Sequence, residues 1–339
     1  MRRSIILITG ANGEIGHGLI SALHDQNRDN IVALDLQPMD PAITPYIKEG
    51  IVGNILDKNL LEQLNAEYEI STIYHLAALL STRAEFSPQT AHEVNVGGTI
   101  NFLRLAVDQA NSRGKAVKFF FPSSIAVYGL PSLEVKAKAG TLTEEEFLNP
   151  ITMYGCNKLY CEKLGLYYAY HYRRLTADFR PGMIDFRGIR YPGIISAQTI
   201  PSGGTSDYAP EMLHAAIKGD AYNCFVRPDT QIPFMTMPDA IKSALDLMTT
   251  PKENLNRLVY NVAAFSPSAE VLQKKIEAAF PNAEIGTKVS IKRQEIVDSW
   301  PADINDCAAR RDWGWQPKHD FDRAFDEYLI PKIKEHYQK

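Results

Sequence analysis

Tyr154 and Lys158 stand four residues apart in the run Tyr154-Gly155-Cys156-Asn157-Lys158. On a helix that spacing puts both on one face, with the ammonium near the phenol. A nearby positive charge stabilises a phenolate and lowers its pKa from about 10. Such a tyrosine is a usable proton acceptor near neutral pH.

A second source of chemistry is a glycine turn. Ile5-Ile6-Leu7-Ile8 runs into Thr9-Gly10-Ala11-Asn12-Gly13-Glu14-Ile15-Gly16, and Ile15, Leu19, Ile20 and Leu23 then recur at helical spacing. The pattern predicts a buried strand, a tight turn, and a helix whose first N–H groups face the turn. Such a helix start favours an anion, because unpaired N–H groups and the helix dipole both attract negative charge. A dinucleotide pyrophosphate fits there. Asn30-Ile31-Val32-Ala33-Leu34-Asp35 reads as a second strand, and its acid lies 19 residues past Gly16. A dinucleotide fold places there the carboxylate that bonds the adenosine ribose hydroxyls. A carboxylate repels a 2′-phosphate, so NAD is expected rather than NADP.

The elements that must position these groups alternate along the chain. Ile51–Asp57 is a predicted third strand with Asp57 as helix N-cap, and Thr72–Ala78 a fourth. The small Ala77 and Ala78 suit close approach of backbone to a flat ligand, and Ser81 and Thr82 follow in the loop beyond. Val94-Asn95-Val96-Gly97-Gly98-Thr99 opens a long helix through Phe102, Leu103, Leu105 and Ala106, and Val117 to Phe121 is a fifth strand. Repeated strand–helix alternation implies an α/β fold with a doubly wound parallel (Rossmann) sheet. The helix after Tyr154 carries Tyr160, Leu164, Tyr167, Tyr168 and Tyr172, a stripe expected in the core or at a subunit interface. Asp178-Phe179-Arg180-Pro181-Gly182 is echoed by Asp185-Phe186-Arg187-Gly188. Pro181 would delete a ladder donor, so the next strand is placed at about 185–191 and 174–184 is an added excursion. Further on, Asp239 is expected to cap an apolar helix. The expected organisation is an NAD-binding domain of residues 1–195 plus about 232–265. A smaller lobe of 196–231 plus 266–339, interleaved with it, would hold the substrate.

Composition removes several classes. With 339 residues, 45% of them hydrophobic, the chain can bury a sizeable core and is not a disordered one. A net charge of −4 suits neither nucleic acid nor an anionic membrane as main partner. No apolar run approaches the roughly 18 residues of a membrane span. The apolar run behind Met1-Arg2-Arg3 is too short for a signal-peptide core, so the N-terminus is expected to belong to the fold. Cysteines 156, 161, 224 and 307 show no Cys-x-x-Cys spacing and the histidines no His-Glu-x-x-His pair. Neither disulfides nor a metal is expected, and each cysteine is read as a small buried hydrophobe. The cysteine spacing leads to an expected reduced, cytoplasmic location.

Taken in order, Thr9-Gly10-x-x-Gly13-x-x-Gly16, Asp35, His75-Leu76-Ala77-Ala78, Asn95, Ser123-Ser124 and Tyr154-x-x-x-Lys158 resemble the extended short-chain dehydrogenase/reductase superfamily, which includes sugar-nucleotide epimerases and dehydratases. Later segments narrow the resemblance. Arg190-Tyr191-Pro192-Gly193-Ile194-Ile195-Ser196, Gly203-Gly204-Thr205-Ser206-Asp207-Tyr208-Ala209, Pro233–Ala240, Ser299-Trp300-Pro301 and Arg311-Asp312-Trp313-Gly314-Trp315 are similar to the short-chain-type L-threonine 3-dehydrogenases. The copy around 174–184 has no counterpart in that family.

The resemblance implies L-threonine and NAD giving L-2-amino-3-oxobutanoate and NADH. Tyr154 would be the base, with Lys158 holding the nicotinamide ribose and Ser124 bonding the substrate oxygen. Ser124 has an alternative, a bond to its own backbone. The cofactor would lie along Gly10, Asn12, Gly13, Glu14, Ile15, Gly16, Asp35, Leu36, Asn54, Ile55, Leu76, Ala77, Ala78, Asn95, Tyr154, Lys158, Tyr191 and Ile194. Ser81, Ser123, Ser124, Tyr154, Gly204 (through its backbone N–H), Thr205 and Trp300 would face the substrate, and the chain would form a homodimer. The competing reading is a sugar-nucleotide epimerase or dehydratase on the same scaffold.

Overall fold

A computed structural model of the chain describes residues 3–201 and 203–338; Met1 and Arg2, named above in weighing a signal peptide, lie outside them. The chain divides into two compact units, Met1–Ser123 with Cys156–Ile189 and Ala244–Tyr260, and Ser124–Gly155 with Arg190–Ser243 and Asn261–Lys339.

The first unit is built on a seven-stranded sheet: β1 (Arg3–Thr9), β2 (Ile31–Asp35), β3 (Glu49–Val52), β4 (Tyr68–His75), β5 (Val117–Ser124), β6 (Ile184–Tyr191) and β7 (Val259–Asn261). Their order across the sheet is β7-β6-β5-β4-β1-β2-β3, and the pairs β1–β2, β2–β3, β1–β4 and β4–β5 are parallel. Parallel strands covered on both faces need unbroken apolar runs. Ile5, Leu7, Ile8, Ile31, Val32, Ala33 and Leu34 meet that need, each with no exposed surface. The chain runs outward from β1 through β2 to β3, then returns to lay β4 on the other side of β1. The order therefore reverses between β1 and β4, whose carboxyl ends meet in register at Thr9 and His75. Open α/β sheets bind ligands outside the strand ends at such a reversal.

Several elements differ from their expected form. β3 lies earlier than expected, because the Asn54 side chain accepts from Leu56 N–H in a local turn; Asp57 does cap the following helix, accepting from Asn59 N–H. Ser81 and Thr82 open a short helix, Ser81–Phe86, where a loop was expected. The long helix begins as a π-turn, Glu93–Gly97, and continues as Gly98–Arg113. Strand β6 begins at Ile184, and 174–183 forms no strand, as Pro181 dictates.

The helix α1 (Met153–Tyr170) turns Cys161, Gly165 and Ala169 inward, so close to β6 that a Cβ on Gly165 would lie 2.3 Å from the Phe186 ring. Of its tyrosines, Tyr168 packs half-buried against the core and others point outward. Tyr160 and Tyr167 are 50% and 44% exposed, since glycine and small residues already occupy the buried face. Cys156 and Cys307 are exposed, not buried as expected, and only Cys161 and Cys224 behave as core residues.

In the second unit, Gly193–Ile195 pairs in parallel with Phe234–Thr236, Tyr222–Cys224 with Ile285–Thr287, and Thr141–Leu142 with Asp303–Ile304. Gly193 is required there, because a Cβ would meet the Phe234 ring at 2.5 Å. Helix Met237–Thr249 is capped by Thr236, whose hydroxyl accepts from Asp239 N–H. Asp239, expected as the cap itself, is instead buried in the first turn, pairing with His319 at 2.8 Å. No helix among the described residues is long and apolar enough to cross a membrane.

Candidate functional site

At the end of β1, Gly10 has φ +69°, and a Cβ there would lie 2.7 Å from Ala77 N. The turn is thus pressed against the segment leaving β4. Leu76 N–H donates to Thr9 O (3.1 Å) and Ala77 N–H to Thr9 Oγ1 (3.3 Å), while His75 Nδ1 lies 2.9 Å from that hydroxyl. Gly16 is crowded from below, its Cβ position 2.4 Å from Ala11 O. Helix Glu14–Asp25 starts after an extended Gly13 with no side-chain cap, and its first backbone bond, His17 N–H to Gly13 O, is 2.9 Å. The result is a cradle that any Cβ would fill, opening onto a helix N-terminus. That is the chemistry a pyrophosphate requires.

Asp35 ends β2 beside the same turn. Its carboxylate accepts from Asn12 N–H (3.0 Å) and from Gln37 N–H (3.2 Å). The Asn12 side chain staples the next loop by donating to Pro38 O (2.9 Å) and accepting from Asp40 N–H (2.9 Å). Leu36 is exposed and Asn54 lies in a turn after β3, whereas Ile55 is buried under Gly98. The buried Asn95 lies within the π-turn, a form that recurs at functional sites. Its side chain accepts from Leu79 N–H (2.7 Å) and donates to Leu79 O (3.0 Å). It therefore fixes the segment that carries Leu76, Ala77 and Ala78.

At the end of β5, Ser124 makes the backbone bond that was its alternative and a second one to a side chain. Its Oγ accepts from Ala126 N–H (3.1 Å), and it also hydrogen-bonds the Tyr154 side chain. Burial pushes the Tyr154 phenol well above its ordinary value, and the Ser124 bond pulls it partly back. Lys158, one turn further along α1, is buried; its Nζ donates to Pro122 O (2.6 Å) and stands 4.7 Å from the Phe121 ring centre. Burial pushes this lysine down to about 8, against the attraction of Cys161 and Glu162. The expected depression of the phenol by the lysine is not seen: Ser124 is the group that lowers it, and desolvation disfavours both charged forms. Ser123, a candidate for the substrate, is buried and donates to Glu162 at 2.5 Å. Glu162 was not among the expected site residues, although Tyr154, Lys158 and Glu162 continue one four-residue spacing.

In the second unit, Tyr191 is buried with its hydroxyl donating to Ala240 O (2.9 Å), and Ile194 lies mid-strand beside Met235. Thr205 is buried. The Gly204 N–H, expected to face the substrate, donates to Asp207 Oδ2 at 2.6 Å, closing a three-residue turn before helix Tyr208–Lys218. Trp300 is buried directly after helix Ile291–Asp298 and Ser299, whose carbonyl accepts from Leu130 N–H (2.8 Å). No cluster of three metal-ligating side chains occurs among the described residues.

A strand-order reversal, a glycine turn tight against it and an acid ending β2 define a dinucleotide-binding α/β protein. The chain belongs to the NAD-dependent epimerase/dehydratase family, whose model matches residues 6–263, and NAD is its cofactor. It is 35% identical over 318 residues to the mitochondrial L-threonine 3-dehydrogenase of Bos taurus, covering 94% of this chain and 79% of that one. It is 34% identical to an uncharacterized epimerase/dehydratase of Staphylococcus saprophyticus, covering 97% of each chain. Among solved structures, a monomeric L-threonine 3-dehydrogenase from a metagenome, in its apo form, superposes with a TM-score of 0.84 at 37% identity, covering 98% of this chain and 100% of that one.

Proposed function

We propose that this protein oxidises the 3-hydroxyl of L-threonine, giving L-2-amino-3-oxobutanoate. The observation that carries the reading is the hydrogen bond between Ser124 and Tyr154, with Lys158 one helical turn on. The likeness to L-threonine 3-dehydrogenases along nearly the whole chain supports threonine as the substrate.

In this reading Ser124 donates to the threonine hydroxyl oxygen and orients it, and the phenolate oxygen of Tyr154 takes the hydroxyl proton. The Lys158 ammonium bonds the nicotinamide ribose and stabilises the phenolate by its charge. NAD, when bound, supplies the acceptor for the hydride from the β-carbon. The turn from Gly10 through Asn12, Gly13, Glu14, Ile15 and Gly16 holds the pyrophosphate. Asp35 and Leu36 hold the adenosine ribose, and Asn54, Ile55, Leu76, Ala77, Ala78 and Asn95 line the path of the cofactor, with Tyr191 and Ile194 near its nicotinamide end. Ser81, Thr205 and Trp300 meet the amino acid. Ser123 and the Gly204 N–H, both committed to carboxylates of the chain itself, are the weakest members of that set.

The test is to incubate the purified protein with NAD and L-threonine. The reading requires NADH and 2-amino-3-oxobutanoate, or the aminoacetone formed when that β-keto acid loses carbon dioxide. Folded protein that binds NAD and produces neither would refute it. The family's epimerases and the Staphylococcus relative's description keep a second reading in view. Conversion of a UDP-sugar on tightly held NAD, without net NADH, would establish it.

A further inference from the structure

Two successive residues at the end of β5 are held by two successive turns of α1. The Pro122 carbonyl accepts from Lys158 Nζ, and the Ser123 hydroxyl donates to Glu162. All four are buried: Lys158 and Glu162 are each 4% exposed and Ser123 is 2%. An ammonium in such a place is costly unless an opposite charge and hydrogen bonds attend it. Glu162 lies one turn beyond Lys158 on the same helix, where side chains face the same way. Its hydrogen bond to Ser123 prevents it from swinging away to solvent.

We infer that Glu162 is a positioning residue for Lys158, whose buried carboxylate balances the ammonium and, tied down by Ser123, locks the lysine to the end of β5. The groups facing Lys158 agree with this assignment. On α1 they are Cys161 and Glu162; on β4 it is His75, whose own imidazole is driven down by burial and by the lysine's charge. Cys161 is itself pushed up by burial and is a neutral thiol near pH 7, so it supplies no full negative charge. His75 is neutral as well. Of the two groups on α1 whose charge raises Lys158, Glu162 is the carboxylate, and desolvation lowers the lysine despite it.

The inference rests on Lys158 acting in NAD-dependent turnover, but its test does not depend on threonine. With lysine labelled by carbon-13 at the ε position, the Lys158 signal is assigned by its loss in Lys158→Arg and titrated in wild type and in Glu162→Gln. Removing the charge while keeping the shape is expected to raise the lysine's proton dissociation constant by about tenfold or more. Glu162→Asp, which retains the charge at a shorter reach, should shift it less. The alkaline limb of kcat/KM should move to lower pH by the same amount. A residue that only braces the fold would lower the rate equally at every pH and leave the titration in place, and that result overturns the inference. Should Glu162→Gln fail to fold, Glu162→Asp decides in the same way. Loss of fold in both, with Ser123→Ala folded, would assign Glu162 to the scaffold and overturn the inference too. A shifted titration in a protein that never oxidises threonine would leave the inference standing and remove the proposed substrate.

Discussion

Gly10→Ala tests the geometry at the sheet reversal, because two separable penalties fall on one methyl group. The first is conformational: φ of +69° lies in the left-handed region, which costs an L-residue about 1–2 kcal/mol. The second is steric. The new Cβ would meet Ala77 N at 2.7 Å, Ala77 Cα at 2.9 Å and Leu76 C at 3.0 Å, all backbone atoms that cannot rotate aside. Overpacking of that kind costs about 1–3 kcal/mol, so the total is about 2–5 kcal/mol. Gly114→Ala is the internal control, since Gly114 has φ +65° with nothing within 4 Å of its Cβ position and carries the first penalty alone. Urea unfolding should place Gly10→Ala below Gly114→Ala by the steric share. Calorimetric titration with NAD should show affinity reduced by about tenfold or more for Gly10→Ala, because relief requires moving the 76–78 segment away from Thr9, and unchanged affinity for Gly114→Ala. If Gly10→Ala matched the control in stability and bound NAD within about twofold of wild type, the reasoning that the turn is built by contact with Ala77 would be wrong.

Three further outcomes follow from the same geometry. Tyr154→Phe should lower kcat by a factor of about 100 or more with NAD affinity nearly unchanged, as steady-state rates and calorimetry would show; retained turnover would remove Tyr154 as the base. Burial drives His75 from 6.5 down to about 3, so the unfolded chain takes up that proton first as pH falls. Stability present above about 6.5 is then lost progressively toward about 3, by roughly 5 kcal/mol at this one group, and His75→Asn should flatten that acid slope in pH-dependent urea melts. Asn95→Ala strips both bonds from Leu79 and should cost about 2–4 kcal/mol, with faster hydrogen exchange at residues 76–80 and weaker NAD binding.

The sheet was readable because strands covered on both faces must be apolar throughout, and Ile5–Ile8 and Ile31–Leu34 advertise that directly. The glycine turn and Asp35 were readable for a related reason: backbone crowding and a strand-end acid restrict residue type at fixed spacing. The tyrosine stripe left core and subunit interface open, because an aromatic repeat says that a face is apolar but not what covers it; Gly165 and Ala169 already fill the inward side. Asn95 could be seen as unusual, yet its partner is the backbone of Leu79, 16 residues away, which has no signature in sequence. The bond made by the Gly204 amide was hidden for a local reason, since its acceptor is the side chain three residues on. Glu162 had a signal in the repeated spacing from Tyr154 and Lys158, but its meaning required knowing that the Ser123 hydroxyl lies opposite.

The most direct measurement of the central claim follows one hydrogen. L-Threonine carrying deuterium on its β-carbon is mixed with the protein and NAD, and the reduced cofactor is examined by mass spectrometry. The expected result is NADH carrying one deuterium, formed in step with loss of threonine and abolished in Tyr154→Phe. Protein that binds NAD yet yields no deuterated NADH, while returning a UDP-sugar with one inverted carbon, would contradict it.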